Sequence, residues 1–139
     1  MISRLKQGLS CIFLNFDIEN EKEIKNVLSY EEFNIFLQMS EYDKFHSFKV
    51  YSGVLKDKVL KDEVNYLKLA LLHDCGKDDA TLFRRVKKVL VGDKKLEQHP
   101  NIGFEKLKGI NLEVATLCSK HHNKDVDFKM SIFQKIDDK

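Results

Sequence analysis

A single proline, Pro100, in 139 residues leaves almost nothing in this chain to stop a helix once it has started. Glycine is scarce too, with six in all, and the apolar residues recur three and four positions apart over most of the length. At about 100° per residue that spacing gathers them on one face, so the pattern predicts an all-α fold of amphipathic helices. A chain of this length buries about two-thirds of the surface its unfolded form exposes, enough for one core without crosslinks. A single domain over residues 1–139 is therefore expected.

The helices can be placed in order. Residues 1–18 are the least regular: Leu9, Cys11 and Phe13 alternate loosely, Ile12 and Leu14 break the alternation, and the segment is expected to cap the core. A short charged helix follows over 19–28. Ser29-Tyr30-Glu31-Glu32 spells a capping box that opens a second helix carrying Phe33, Phe36 and Leu37. A third starts near Asp43 with His46, Val50, Gly53 and Val54 on one face, where Gly53 would let another helix come close. The fourth, over 62–74, is the most apolar, with Leu67, Ala70, Leu71 and Asp74 on one stripe and Gly76 placed as a C-terminal cap.

A fifth helix over 81–90 turns Phe83, Val86 and Leu90 inward and Arg84, Arg85, Lys87 and Lys88 outward. That basic quartet reads as a solvated face, with a phosphate-attracting rim as the alternative. The segment 94–98 leads to His99-Pro100, and since proline is tolerated in a first turn, His99 is expected at or just before an N-terminus. Helices over 112–122 and 127–138 complete the chain.

Composition excludes several classes of partner. The formal net charge is +2 and the two signs are interspersed, which gives no electrostatic case for duplex nucleic acid. The longest strongly apolar run, Cys11-Ile12-Phe13-Leu14, is too short to cross a bilayer, so no membrane partner is expected. Cys11, Cys75 and Cys118 are odd in number, widely spaced and without a secretory signal, and read as buried, reduced thiols of a cytoplasmic protein. Cys75, directly after His73-Asp74, is the one open to adventitious oxidation or metallation.

All five histidines fall in one ladder with two carboxylates: His46, His73-Asp74, His99, His121-His122 and Asp137. Imidazole with carboxylate is the ligand set for one or two divalent ions of Mn, Fe, Co, Ni or Zn. Asp74, at the inner end of a buried helix, costs a few kcal/mol or more unless something positive compensates it. A metal is the simplest compensation, and Lys77 is a second. No CxxC or HxxxH pair is present, which argues against a zinc finger. Helical geometry sets Asp137 on the flank of the face formed by Phe128, Ile132 and Ile136 and Asp138 opposite, making Asp137 the better ligand. The same test does not separate His121 from His122, since both lie near the stripe of Val114, Leu117 and Cys118.

The blocks His46, His73-Asp74-Cys75-Gly76-Lys77, His99-Pro100-Asn101-Ile102-Gly103, His121-His122 and Ile136-Asp137 resemble the HD-domain superfamily of metal-dependent phosphohydrolases, in the branch reading H, HDxGK, HPxxG, HH, D. The resemblance covers residues 42–139, leaving 1–41 as N-terminal cap helices on a helical bundle with its metal site among the helix ends. It implies that His46, His73, Asp74 and Asp137 hold one ion, and that Asp74 bridges to a second held by His99 and one or both of His121 and His122. It implies hydrolysis of a nucleotide or other small phosphate ester by a metal-activated hydroxide, with Asp74 and Lys77 in catalytic roles and dinucleoside polyphosphates the first substrates to try.

Lys77 would contact the phosphate or orient Asp74, or else only cap the helix end. The residues after His121-His122 contain no Gly, Tyr or Pro, unlike the branch that opens cyclic di-GMP, so that activity is not expected. Two alternatives share the ligand order: a metal- and nucleotide-binding sensor that signals by shape, ranked lower because no effector domain is attached, and a di-iron oxygenase. A homo-oligomer is compatible with all three.

Overall fold

Side-chain caps decide where most of the helices begin. The computed structural model describes residues 18–77 and 99–138, and within them the chain forms α1 (Ile18–Val27), α2 (Tyr30–Leu37), α3 (Glu41–Lys56), α4 (Val64–Leu72), α5 (His99–Leu107), α6 (Leu112–Lys120) and α7 (Phe128–Asp137), with no strand. The all-α expectation is met. The expected capping box is formed: Ser29 Oγ accepts from the Glu32 amide at 3.2 Å while Glu32 accepts from the Ser29 amide at 2.7 Å. Ser40, Asn111 and Asp127 cap α3, α6 and α7 through one bond each, the side chain accepting from a backbone amide of the first turn. The expected helix over 81–90 with Arg84, Arg85, Lys87 and Lys88, the segment 94–98, and residues 1–17 with Cys11 lie outside the described residues. Among the described residues, no helix is long and apolar enough to cross a membrane.

The core is built around α4. Leu69, Ala70, Leu71 and Leu72 are fully buried, and this helix packs against α1, α2, α3 and α6, while α5 lies along α6 and α7 against α3. Burial on several sides is what a helix apolar around most of its girth requires. Both α1 and α2 rest on α4.

Three helices run in one direction. Asn65 at the start of α4 donates to Glu113 at the start of α6 at 2.6 Å, and Lys129 at the start of α7 pairs with Glu63. At the opposite ends, the His73 and His121 rings are 5.3 Å apart and His73 Nε2 is 3.1 Å from Asp137 Oδ1. So α4, α6 and α7 begin together and end together, separated by the nine residues of α4, or about 13 Å.

The ends of two helices differ from expectation. α4 stops at Leu72 with His73 as its C-cap, and α6 stops at Lys120 with His121 as its C-cap, each two residues early. In both places the histidine ring reaches back to the carbonyl three residues before it, satisfying a group that the helix end leaves open. Asp74 therefore sits in the turn over 73–77, not on a helix. Gly76 is not the cap: a Cβ there would run into the His99 carbonyl oxygen and come within 2.7 Å of the Gly103 nitrogen, so glycine lets this turn lie against the start of α5. On α7 Met130 and Phe133 are buried, Ile132 and Ile136 pack partly buried against the core as expected, and Phe128 is exposed, which corrects the place given to Phe128 alone. Gly53 acts as expected, since a Cβ would lie 2.7 Å from Ile136 Cγ2 and hold α7 away from α3.

One buried carboxylate fastens three helices. Glu32, besides capping α2, meets Lys68 Nζ of α4 at 3.0 Å and accepts from Asn111 Nδ2, the α6 cap, at 2.9 Å. Burial would raise its pKa, but these donors outweigh it and hold the carboxyl below its ordinary value. Glu32→Ala leaves Lys68 and Asn111 unsatisfied and is expected to cost about 2–4 kcal/mol. Glu32→Gln, which keeps the shape and an acceptor, should cost less, and urea unfolding of the two variants checks the order.

Candidate metal centre

Every ligand expected from the sequence arrives at one end of the bundle. His73 and His121 cap the ends of α4 and α6, Asp137 closes α7, His99 opens α5, and His46 lies in the second turn of α3. Three helix C-termini meet here, and their carbonyl ends give the spot a negative partial charge suited to a cation.

The donors fall into two groups. The ligand atoms of His46, His73 and Asp137 lie within 4.8 Å of one another, and so do those of His99, His121 and His122. Asp74 stands between the groups, with Oδ2 3.3 Å from His73 Nε2 and 3.9 Å from His46 Nε2, and Oδ1 3.3 Å from His99 Nε2. One carboxylate turns an oxygen toward each group. Lys77 Nζ is 3.5 Å from Oδ2. Asp137 faces the centre, 2.9 Å from His46 Nε2, while Asp138 is exposed.

Both adjacent histidines belong to the site, from different sides. His121 is buried, whereas His122 is exposed and sets its ring 4.8 Å from that of His99. With α6 ending at Lys120, the two rings do not follow the helical angles that left them unseparated in the sequence. Cavities of about 420 Å³ beside His99, Asn101, Ser119, His122 and Lys124, and of about 250 Å³ beside His46, Lys49, Lys56 and Asp137, open onto the two groups.

Backbone carbonyls aim the inner rings. His73 Nδ1 is 2.8 Å from the Ala70 oxygen and His121 Nδ1 is 2.5 Å from the Cys118 oxygen. A carbonyl only accepts, so Nδ1 carries the proton in both rings and Nε2 faces the centre, the arrangement that orients metal-ligating imidazoles. His121 Nε2 has no hydrogen-bond partner although the residue is only 2% exposed. A buried lone pair of this kind is costly, and a divalent ion shared with His99 and His122 removes the cost. The donor set therefore fits a metal.

With no cation bound, the two carboxylates hold His73 protonated. Burial alone would lower His73, but Asp74 and Asp137 outweigh it and push the ring up to about 10. Burial opposes both carboxylates too, yet His73, His99 and Lys77 hold Asp74 well below the usual range, and His46 and His73 do the same for Asp137. Burial and the charge on His73 pull His121 down to about 3. His122 is lowered by burial and by His99.

Two partners escaped the sequence reading. Gln134 Nε2 donates to the His121 oxygen at 3.1 Å and to the Asn123 oxygen at 2.8 Å, pinning the histidine turn to α7. Phe133 sets its ring edge-on to His73 at 5.6 Å. Nothing in the sequence marks Gln134, and apolar spacing, which puts Phe133 among the anchors of the last helix, does not tie its ring to His73. Cys75 and Cys118 are buried free thiols, as expected. No protein-family model, no curated protein and no solved structure matches the chain.

The opposed shifts predict how metal-free protein responds to pH. His73 is raised, so its stabilisation is complete below its ordinary 6.5 and is lost as pH rises through about 10. His121 is lowered, so its contribution is complete above 6.5 and is lost as pH falls toward about 3. Urea midpoints of chelator-treated protein should peak near that ordinary value, and excess Mn should abolish the alkaline decline by replacing the His73 proton. A midpoint that climbs steadily into the alkaline range would contradict this account.

Proposed function

We propose that this chain is a metal-dependent phosphohydrolase of the HD-domain superfamily, acting on a nucleotide or another small phosphate ester. The observation that carries the reading is the buried Asp74, with one oxygen toward His46 and His73 and the other toward His99. His46, His73 and Asp137 would complete one site for Mn, Fe, Co, Ni or Zn, and His99, His121 and His122 the other. Ions bound there would supply Lewis acidity toward a phosphoryl oxygen and toward the attacking water.

The chain's own groups supply position and charge. Lys77 keeps its ammonium beside Asp74 with 42% of its side chain exposed, so one cation can steady the carboxylate and attract an anionic substrate. His122, Ser119, Asn101 and Lys124 give the cavity of about 420 Å³ a polar wall for the rest of the substrate. Cys118 Sγ is turned to the His73 carbonyl at 3.6 Å and both thiols are buried, so neither is placed as a nucleophile. Water is the attacking group in this reading: its oxygen joins phosphorus, the ester P–O bond breaks, and the leaving oxygen takes a proton.

Protein loaded in turn with Mn, Fe, Co, Ni or Zn and screened against nucleotides and simple phosphoesters tests the proposal. A His73→Ala, Asp74→Ala double variant should lose at least about a hundredfold in turnover along with its bound metal, read by elemental analysis. Unchanged turnover would sink the reading, and substrate-dependent oxygen uptake by the iron-loaded protein would replace it with an oxygenase. Lys77→Ala should lower kcat/KM about tenfold or more with metal content intact. Asp137→Asn should release metal where Asp138→Asn does not.

A further inference from the structure

Each of the three parallel helices opens with an exposed apolar residue. Val64 on α4, Leu112 on α6 and Phe128 on α7 are 57%, 61% and 69% exposed. The Asn65–Glu113 and Lys129–Glu63 ties hold these three starts together, and a groove of about 470 Å³ with Tyr66 and Leu117 in its lining runs between them. A single exposed leucine is ordinary, but a groove walled by Leu112, Leu117 and Tyr66, with exposed Val64 and Phe128 next in sequence to its lining residues Asn65 and Lys129, marks an interaction surface.

The rim of this groove is acidic. Glu63, Glu113 and Asp127 face one lysine, Lys129, and the field is felt inside: burial, with Asp127 and Glu63 adding to it, pushes the Tyr66 hydroxyl up to about 12. The groove lies at the helix starts, about 13 Å along the nine-residue α4 from the candidate metal centre at the helix ends, so an occupant leaves that centre open.

We infer that this groove docks a basic, apolar segment of a partner protein. Its aliphatic side chains enter against Leu112, Leu117 and Tyr66, and its arginine or lysine residues meet Glu63, Glu113 and Asp127. A second copy offering the same face would set acid against acid, which disfavours a symmetric dimer here. The inference stands apart from the phosphohydrolase reading.

A short fluorescein-labelled peptide of leucine and arginine, with a leucine and glutamate peptide as control, tests the groove on the full chain by fluorescence anisotropy. The basic peptide is expected to bind, more weakly as salt is added, and the acidic one not to. Leu112→Ser and Glu113→Lys, both on exposed side chains that line the groove, should each weaken binding about tenfold with the helical circular dichroism unchanged. Equal binding of the two peptides, or binding untouched by both variants, overturns the inference. A dimer that forms with concentration and is lost in Leu112→Ser would overturn it as well, by making the groove an interface between copies.

Discussion

A carboxylate exposed by only 3% among imidazoles is the constraint around which this bundle is arranged. An uncompensated charge at that depth costs several kcal/mol, a large share of the net stability of any domain this size. Asp74 is kept ionised by His73 and His99 at 3.3 Å each and by Lys77 at 3.5 Å. His73 and Lys77 share its turn while His99 comes from the start of α5, so compensation is complete only when α5 is packed against that turn. Fold and candidate site are in this sense one problem: α4 is both the most buried helix and the one whose end delivers two of the ligands.

Close backbone contacts bring the remaining ligands within reach. Gly53 lets Ile136, and so the neighbouring Asp137, come against α3 near His46. Gly76 lets the Asp74 turn touch the start of α5, where His99 stands. At Gly103 a Cβ would lie 2.6 Å from Cys118 Sγ, so glycine there lets α5 lie close along α6. Gly76 and Gly103 sit within about a turn of Asp74 and His99, and Gly53 meets the residue just before Asp137, which ties small residues of no chemical function to the geometry of those that have one.

The identity of the ligands was legible because histidines and carboxylates are few and their order along the chain is distinctive. Asp137 was separable from Asp138 because two neighbours on a helix differ by about 100°. What periodicity does not carry is where a helix gives way to a competing hydrogen bond. His73 and His121 each turn a ring back onto the carbonyl three residues earlier, ending α4 and α6 ahead of the pattern, and His122 leaves the helix before its angle has meaning. On α7, Phe128 read as a core residue because hydrophobicity is blind to the start of a helix that opens onto a surface groove. Met130 and Phe133 are its most buried residues, with Ile132 and Ile136 packed beside them against the core, and Asp137 lies one turn beyond Phe133.

Parallel helices side by side place like dipole ends together, a repulsion that must be met at both faces of the bundle. At the starts of α4, α6 and α7 it is met by Glu63, Glu113 and Asp127, acidic residues at or beside the caps. At their ends it calls for positive charge, and the residues gathered there are five histidines, of which the innermost keeps its proton while its buried neighbour His121 loses one. The two faces are thus electrostatic complements of a single arrangement. The acidic groove follows from the same parallel packing that brings the histidines together, and the His73 proton does in the metal-free fold what a bound cation does in the proposed enzyme.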